Sequence, residues 1–512
     1  MANSLPWWYD CAALLLALFA ASLLHRYKSA KRMNLAPGPF PLPVIGNFHQ
    51  LVSRLPHRAL EDLSLKYGPI MFLKFGQVPT LVISSPEMAK EVLKTDELSF
   101  AQRPLFCNGK YFFNGGKDLG LSPYGMFWRQ LRKMCVLELF SNKRAREIQR
   151  VREDEVAILI RSIASSTGPV NLYGLLLSLT NNVLCRAVIG DEFSERREHG
   201  GFRLAEMLDE LQDILGESNI ADVFPSIEWI NVFTLQYWRT RNLFHLMDSF
   251  LDSVIEEHLG PTHGRIRMDF LDTLLQIKER GDMEFPLTRG IIKVLILDMF
   301  AAGTDSSLVT LTWAMFELIK NPRIMEKAQE EVRNVVGQKQ SVEESDLPKL
   351  TYLKCIIKET FRLHPTVPII ARESIEECLI GGYHVPPKTR LLVNTWAIGR
   401  NEKIWENVNI FEPERFDGSN IDFRGHNFEL IPFGSGRRGC PGISFAMATV
   451  ELVLAQLLFF FDWELPNGAK RENLDMMERS ACLMLRKSDL NLVAKPHYPI
   501  PSSIAITKPA AA

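Results

Sequence analysis

The densest chemistry in the chain lies in Phe433-Gly434-Ser435-Gly436-Arg437-Arg438-Gly439-Cys440-Pro441-Gly442, directly ahead of an apolar helical run from Ile443 to Phe461. One thiol stands among four glycines and two arginines. The thiolate is the form that ligates metals, and arginines or a helix N-terminus favour it. Glycines let backbone approach a flat, bulky partner and reach positive φ without a Cβ clash. This combination suits an axial ligand to haem iron, where thiolate electron donation favours O–O cleavage. Two other readings fit the loop taken alone. Gly434, Gly436 and Gly439 spell G-x-G-x-x-G behind the strand-like Phe428 to Phe433, a dinucleotide fingerprint, although Pro432 ends that strand and no clear second strand with an acid follows. The third is a glycine-rich turn around an inert buried cysteine.

A second constellation is Ala301-Ala302-Gly303-Thr304-Asp305-Ser306-Ser307, in the middle of an apolar run from Gly290 to Lys320. Glycine in a helix interior costs about 1 kcal/mol, and a buried hydroxyl or carboxyl costs more unless hydrogen-bonded. Hydroxyls competing for helix carbonyls can open a kink there. Beside a bound oxygen, an acid and an alcohol would relay protons; a kinked structural helix is the plainer alternative. Glu359 and Arg362 stand at i, i+3 on the amphipathic run Tyr352 to Leu363, an arrangement more often a surface ion pair. Arg415, within Phe411 to Phe416, offers a second cation to Glu359, and Trp128, Arg132 and Arg372 are candidate carboxylate binders.

The elements that must position these groups read as mostly helical. Further helical patterns run from Met126 to Leu139, Glu147 to Ile163, Phe202 to Leu215, Gln236 to Glu257 and Arg323 to Val336. Short strands are expected at Ile70 to Phe75, Thr80 to Ser84, near Glu376 to Val385 and at Arg390 to Asn394, with Ser85 and Pro86 opening a helix. With 46% hydrophobic and 23% charged residues, the 512-residue chain can build a large core. A net charge of −1 supplies no field for holding nucleic acid. The eight cysteines include no C-x-x-C, so zinc-ribbon chemistry drops out and reduced core thiols facing the cytosol are expected.

The N-terminus has its own character. Trp7 to Leu24 is apolar except for Asp10 and Ser22, and His25, Arg26, Lys28, Lys31 and Arg32 follow. As a helix this segment would reach roughly 27 Å, just enough to span a bilayer. Positive charge after the apolar run argues for an anchor with the remainder cytosolic, rather than a cleaved signal peptide. Leu35 to Asn47 carries four prolines and two glycines and reads as a semi-rigid spacer. The expected division is residues 1–30 anchor and basic flank, 31–47 hinge, 48–495 one large domain and 496–512 a loose tail.

Taken together, these motifs resemble the cytochrome P-450 family of haem-thiolate monooxygenases from Pro37 to about Lys495. Ala302 to Ser307, Glu359 to Arg362, Pro413 to Phe416 and Phe433 to Gly442 occur in the family's order and spacing, and the last matches F-x-x-G-x-R-x-C-x-G position by position. The N-terminal segment, the proline hinge and Trp128 to Lys133 are similar to the plant A-type microsomal branch. The resemblance implies a mainly α fold with small β-sheets, a single haem-binding domain behind the anchor, and an endoplasmic reticulum address with that domain facing the cytosol.

The resemblance also assigns roles. Cys440 is then the iron ligand with Phe433 against its sulfur, and Trp128, Arg132, Arg372 and Arg438 bind haem propionates. Glu359, Arg362 and Arg415 form a structural network, and Asp305 with Ser306 delivers protons for dioxygen cleavage. Ser306 stands where the family has threonine, keeping the hydroxyl and losing the methyl. Electrons come from NADPH through a membrane-bound reductase, with Arg129 and Lys133 on its docking face. The segment from Phe106 to Phe113, Phe300, Ala301, Val367, Ile369, Ile370 and Leu483 would face an apolar terpenoid, phenylpropanoid or alkaloid substrate, or serve as core packing. Two alternatives are a family member that rearranges or dehydrates its substrate without NADPH, and a non-enzymatic haem protein.

Overall fold

The computed structural model describes residues 34–500, apart from 53, 191–200, 218, 261–268, 282, 480 and 481. The anchor expected at residues 1–30 lies outside the described residues. The proline-rich stretch behind it is fastened rather than free: Phe72 donates from its backbone N–H to the Pro37 carbonyl at 2.9 Å, and Asn47 donates to Lys74 at 2.6 Å. After helix α1 (Pro56–Tyr67), strand β1 (Ile70–Phe75) turns back into β2 (Val78–Ile83). The turn needs Gly76, whose φ is +56° and whose hypothetical Cβ would sit 2.6 Å from the Val223 carbonyl oxygen.

A four-stranded sheet forms in the order β1-β2-β7-β4, where β4 is Ile369–Glu373 and β7 is Arg390–Asn394. Strand β2 runs parallel to β7, and β4 pairs antiparallel with β7, Arg372 opposite Leu391. That register turns Arg372 inward, where it is 2% exposed. The expected strand near Glu376 to Val385 is the hairpin of β5 (Cys378–Ile380) and β6 (Tyr383–Val385).

Helices supply the bulk. Short helices α2 (Pro86–Lys90, with Ser85 Oγ capping the Met88 amide) and α3 (Cys107–Phe112) lead to α4 (Met126–Met134), which continues as a π turn over Cys135–Leu139. Then come α5 (Asn142–Glu147), α6 (Gln149–Ala164), α7 (Leu172–Val188), α8 (Gly201–Gly216), α9 (Leu235–Leu259) and α10 (Phe270–Arg280). The axis of the body is α11 (Arg289–Lys320), followed by α12 (Pro322–Val336), α13 (Thr351–Leu363), α14 (Thr395–Ile398) and α15 (Ile443–Phe460). Helices α11 and α15 are long and apolar enough to cross a membrane by length and composition, yet both are mostly buried in the body. Their side chains join α7, α12 and α13 in one large core containing Leu308, Trp313, Phe316, Ile356 and Leu454.

Two features differ from sequence expectation. Helix α11 runs unbroken through Gly303 to Ser307, where a kink was expected. Gly303 serves close packing instead: a Cβ there would lie 2.7 Å from Leu184 Cδ1 on α7. At the other end, residues 496–500 are not loose. His497 donates its amide to the Phe460 carbonyl at 2.7 Å, and Tyr498 stacks on Phe459 at 4.7 Å. Residues 501–512 lie outside the described residues.

Candidate active site

The Cys440 loop is held by its own backbone and by two neighbours. Cys440 donates its amide to the Phe433 carbonyl at 2.9 Å, closing the turn. Gly434 and Gly436 take φ of +70° and +68°, and a Cβ at Gly436 would overlap the Leu93 carbonyl oxygen, so side chains are excluded there. The Phe433 ring packs edge-on against Phe361 of α13 at 5.3 Å and lies 5.6 Å from Phe423. Gly442 then caps the N-terminus of α15. The thiol is exposed at the floor of the loop while enclosed by surrounding protein. That enclosure raises its pKa, partly offset by the Gly442 amide and by Arg132. The sequence expectation was the opposite, a thiol lowered by the two flanking arginines. The reason is orientation: Arg437 pairs with Glu97 at 2.7 Å, and Arg438 turns into a separate cluster.

That cluster is cationic, with Arg372 and Arg438 buried and Arg103 and Arg132 half-buried. Arg438 donates to the Ala101 carbonyl at 2.9 Å and to the Ser122 carbonyl, while its Nη1 has no partner among the described residues. Its guanidinium lies 4.0 Å over the Trp128 ring, and Arg132 reaches the same ring at 5.5 Å. Arg372 donates to the Arg438 carbonyl at 3.3 Å and Arg132 to the Gly439 carbonyl at 2.6 Å. A fourth member, Arg103, donates to the Ala371 carbonyl at 2.8 Å and leaves its buried Nε without a partner among the described residues. Burial depresses all four guanidinium pKa values, and repulsion among the cations adds to it at Arg103, Arg372 and Arg438, the last falling to about 9. Four crowded cations with two orphaned buried donors fit a bulky anionic edge. The Trp128 indole N–H already donates to Leu119 at 3.0 Å, so this ring is a stacking platform for the arginines.

Beneath the loop, Glu359 and Arg362 form a bidentate pair at 2.7 Å, both fully buried, where the sequence alone favoured a surface ion pair. Arg415 adds a third contact to Glu359 at 3.0 Å, and the Glu412 amide a fourth at 2.8 Å. Arg362 also donates to the carbonyls of Gly399, Val408 and Ile410. Arg362 and Glu359 together tie α13 to the chain between 399 and 416, with both carboxylate oxygens and all three guanidinium nitrogens partnered. The pair has no free group for chemistry.

On α11, Asp305 lies near Asp209 and Gln212 of α8 and near Arg479. Burial and the nearby Asp209 push its pKa up to about 6, while Arg479 and a hydrogen bond from Gln212 lower it. Gln212 also donates to the Ala301 carbonyl at 2.6 Å, and its Oε1 lies 3.7 Å from Cys482 Sγ. The Ser306 carbonyl accepts from Thr310, whose hydroxyl meets that of Thr366 at 3.2 Å, and Met484 donates its amide to Thr366 at 3.0 Å. The face of α11 carrying Ser306, the segment 366–370 and the chain at 482–484 therefore meet. Among the expected substrate-facing residues, Phe300 is core, 1% exposed, and Ile370 is also packed away. Ala301, Val367, Ile369 and Leu483 keep partly accessible surface.

A family model described as Cytochrome P450 matches residues 36–492. The chain belongs to the cytochrome P450 family. It is 47% identical to Cytochrome P450 71AP13 of Prunus mume, over 94% of this chain and 96% of that protein. It is 42% identical to premnaspirodiene oxygenase of Hyoscyamus muticus, over 96% and 99%. Among solved structures, a zebrafish cytochrome P450 with progesterone superimposes with a TM-score of 0.75 at 26% identity, covering 86% of this chain and 99% of that one. Membership brings with it a mainly helical single domain, a haem with cysteine thiolate ligation and a monooxygenase activity.

Arg103 and Gln212 escaped the sequence reading. Arg103 sits in a segment without helical or strand periodicity, and nothing local marks it. Gln212 did leave a signal: it falls four residues after Leu208, itself four after Leu204, and so interrupts the buried face of α8 with an amide.

Proposed function

We propose that the protein inserts one oxygen atom of O2 into an apolar specialised metabolite, with Cys440 as the axial haem ligand and electrons delivered from NADPH by a membrane-bound reductase. The observation that carries this reading is the arginine cluster of residues 103, 132, 372 and 438 beside the exposed Cys440 thiol. It offers charge-assisted donors to two carboxylates while the thiol faces the same space. A thiolate-ligated haem supplies the cleavage of dioxygen and the transfer of one oxygen atom.

The residues do the rest. Phe433 shields the sulfur side of the loop, and the Gly442 amide and Arg132 favour the thiolate against burial. Asp305, poised near 6, exchanges protons near neutral pH, and Ser306 provides the hydroxyl that passes them inward. Gln212 holds Asp305 and the Ala301 carbonyl together. The glutamate–arginine network keeps the Cys440 loop in register.

The partly accessible aliphatic side chains of Ala301, Val367, Ile369 and Leu483 suit a terpenoid, phenylpropanoid or alkaloid skeleton. The names of two relatives, premnaspirodiene oxygenase of Hyoscyamus muticus and strychnine-11-hydroxylase of Strychnos nux-vomica, support oxygenation of such a small molecule. Residues 7–24 would hold the chain to the endoplasmic reticulum membrane, catalytic domain in the cytosol. Exposed Arg129 and Lys133, one helical turn apart on α4, would meet the acidic face of the reductase.

The test is incubation with a reductase, NADPH and 18O2 across a panel of terpenoid, phenylpropanoid and alkaloid substrates. One labelled oxygen atom in a product, dependent on NADPH, is the expected outcome. A product formed without NADPH and carrying no label would identify a rearranging enzyme instead.

A further inference from the structure

Two carboxyls that the proposed chemistry does not use come together at Gly120, between α11 and the loop ahead of α4. Asp298 lies on α11 one turn before Ala301 and Ala302, and its Oδ2 accepts the Leu119 amide at 2.7 Å. Asp118, wholly buried, accepts the Leu121 amide on its own Oδ2 at 2.7 Å. Both acids crowd Gly120, whose hypothetical Cβ would lie 3.3 Å from Asp118 Oδ2 and 3.8 Å from Asp298 Oδ1. The remaining oxygen, Asp118 Oδ1, is buried and meets no N–H or hydroxyl among the described residues. A buried carboxylate oxygen without a donor is costly, and a facing carboxyl supplies a donor only when it carries a proton.

We propose that Asp118 and Asp298 share one proton and act as a clasp, fastening the 118–122 loop to α11 and thereby positioning the arginine cluster. The same loop presents the Leu119 carbonyl to the Trp128 indole and the Ser122 carbonyl to Arg438. Releasing it would free both members of the 4.0 Å Arg438–Trp128 stack. The surrounding charges place the proton. Burial raises Asp118, but Arg103 and Arg438 face it and favour its ionised form, whereas the titratable groups facing Asp298 among the described residues are Asp118 and the Cys135 thiol. Burial and the neighbouring carboxylate raise Asp298 well above the usual range. With a folded pKa above the unfolded one, the clasp is fully formed at low pH and weakens as pH rises through the folded value.

These are positioning residues. Their service to the arginine cluster rests on the cofactor reading above; the shared proton does not. The experiment is infrared difference spectroscopy of the full-length holoprotein in H2O and D2O, paired with the rate of haem release from pH 6 to 9.5. A protonated buried carboxyl band at neutral pH, absent from Asp298→Asn, is expected, and a wild type without that band overturns the clasp. Haem release from the wild type should accelerate with pH, by at most about tenfold per unit, the limit for one proton. Asp298→Asn, whose amide donates without titrating, should flatten that dependence; an equally steep variant overturns the positioning role. Should that variant not accumulate, the presence or absence of the band in the wild type still decides the clasp. Arg438→Gln separates the two readings: band retained with haem loosened supports both, and band retained with haem release unchanged removes the cofactor reading while the clasp stands.

Discussion

Asp305 and Ser306 carry the proposal's proton traffic, and their surroundings give it a pH signature. Because burial and Asp209 hold Asp305 at about 6, the coupling of NADPH oxidation to product should show a limb near that pH. Gln212→Met removes a hydrogen bond that favours the carboxylate, so the limb should move to higher pH; a limb unmoved in coupling assays would detach Gln212 from Asp305. Ser306→Ala should retain haem while diverting reducing equivalents to peroxide, slowing product formation by about a hundredfold, the lower range for a lost general acid. Peroxide yield per NADPH decides it, and unchanged coupling would take Ser306 out of the relay. Residue types alone singled out Cys440 among its glycines and Asp305 with Ser306 inside an apolar helix, whereas the Glu359–Arg362 spacing alone suggested a surface pair and its structural role came from the family resemblance. Arg103 was not legible, since its contacts at Ala371 and Asp118 come from chain segments far apart in sequence.

At the scale of elements, the periodic helices were legible to within a residue or two: α11 begins one residue before the expected Gly290, and β1 and β7 match the expected Ile70 to Phe75 and Arg390 to Asn394. Helix α7 was not legible, because Leu172 to Val188 is apolar on nearly every side and so lacks an amphipathic stripe. Strand β4 was missed for a related reason, hidden in a proline-flanked run whose apolar residues suggested a substrate wall. Two substitutions test what these elements do. Glu359→Ala leaves Arg362 and Arg415 buried without their carboxylate and should cost about 3–5 kcal/mol of stability, read by chemical denaturation. Its cost would fall below about 1 kcal/mol if the network were the surface pair that spacing alone suggested. Gly436→Ala must relieve both a positive φ and the overlap with the Leu93 carbonyl oxygen, and should fold with little haem bound; normal loading would show that the loop tolerates a shift.

The whole molecule would join a buried cofactor site to two outward surfaces, one for the membrane and one for the reductase. Removing residues 1–30 should weaken membrane sedimentation and leave haem content unchanged, while loss of haem would make that segment part of the folding body. Charge reversal at Arg129 and Lys133 should raise the apparent KM for the reductase severalfold at low salt, with the difference narrowing as ionic strength rises. An unchanged KM would put the docking face elsewhere. All of this depends on a thiolate from Cys440 holding the haem. The direct measurement is the carbon monoxide difference spectrum of the dithionite-reduced protein, wild type beside Cys440→Ser. The account predicts a strongly red-shifted Soret band that the substitution abolishes; a shifted band that survives in Cys440→Ser, or an ordinary haem band in the wild type, would contradict it.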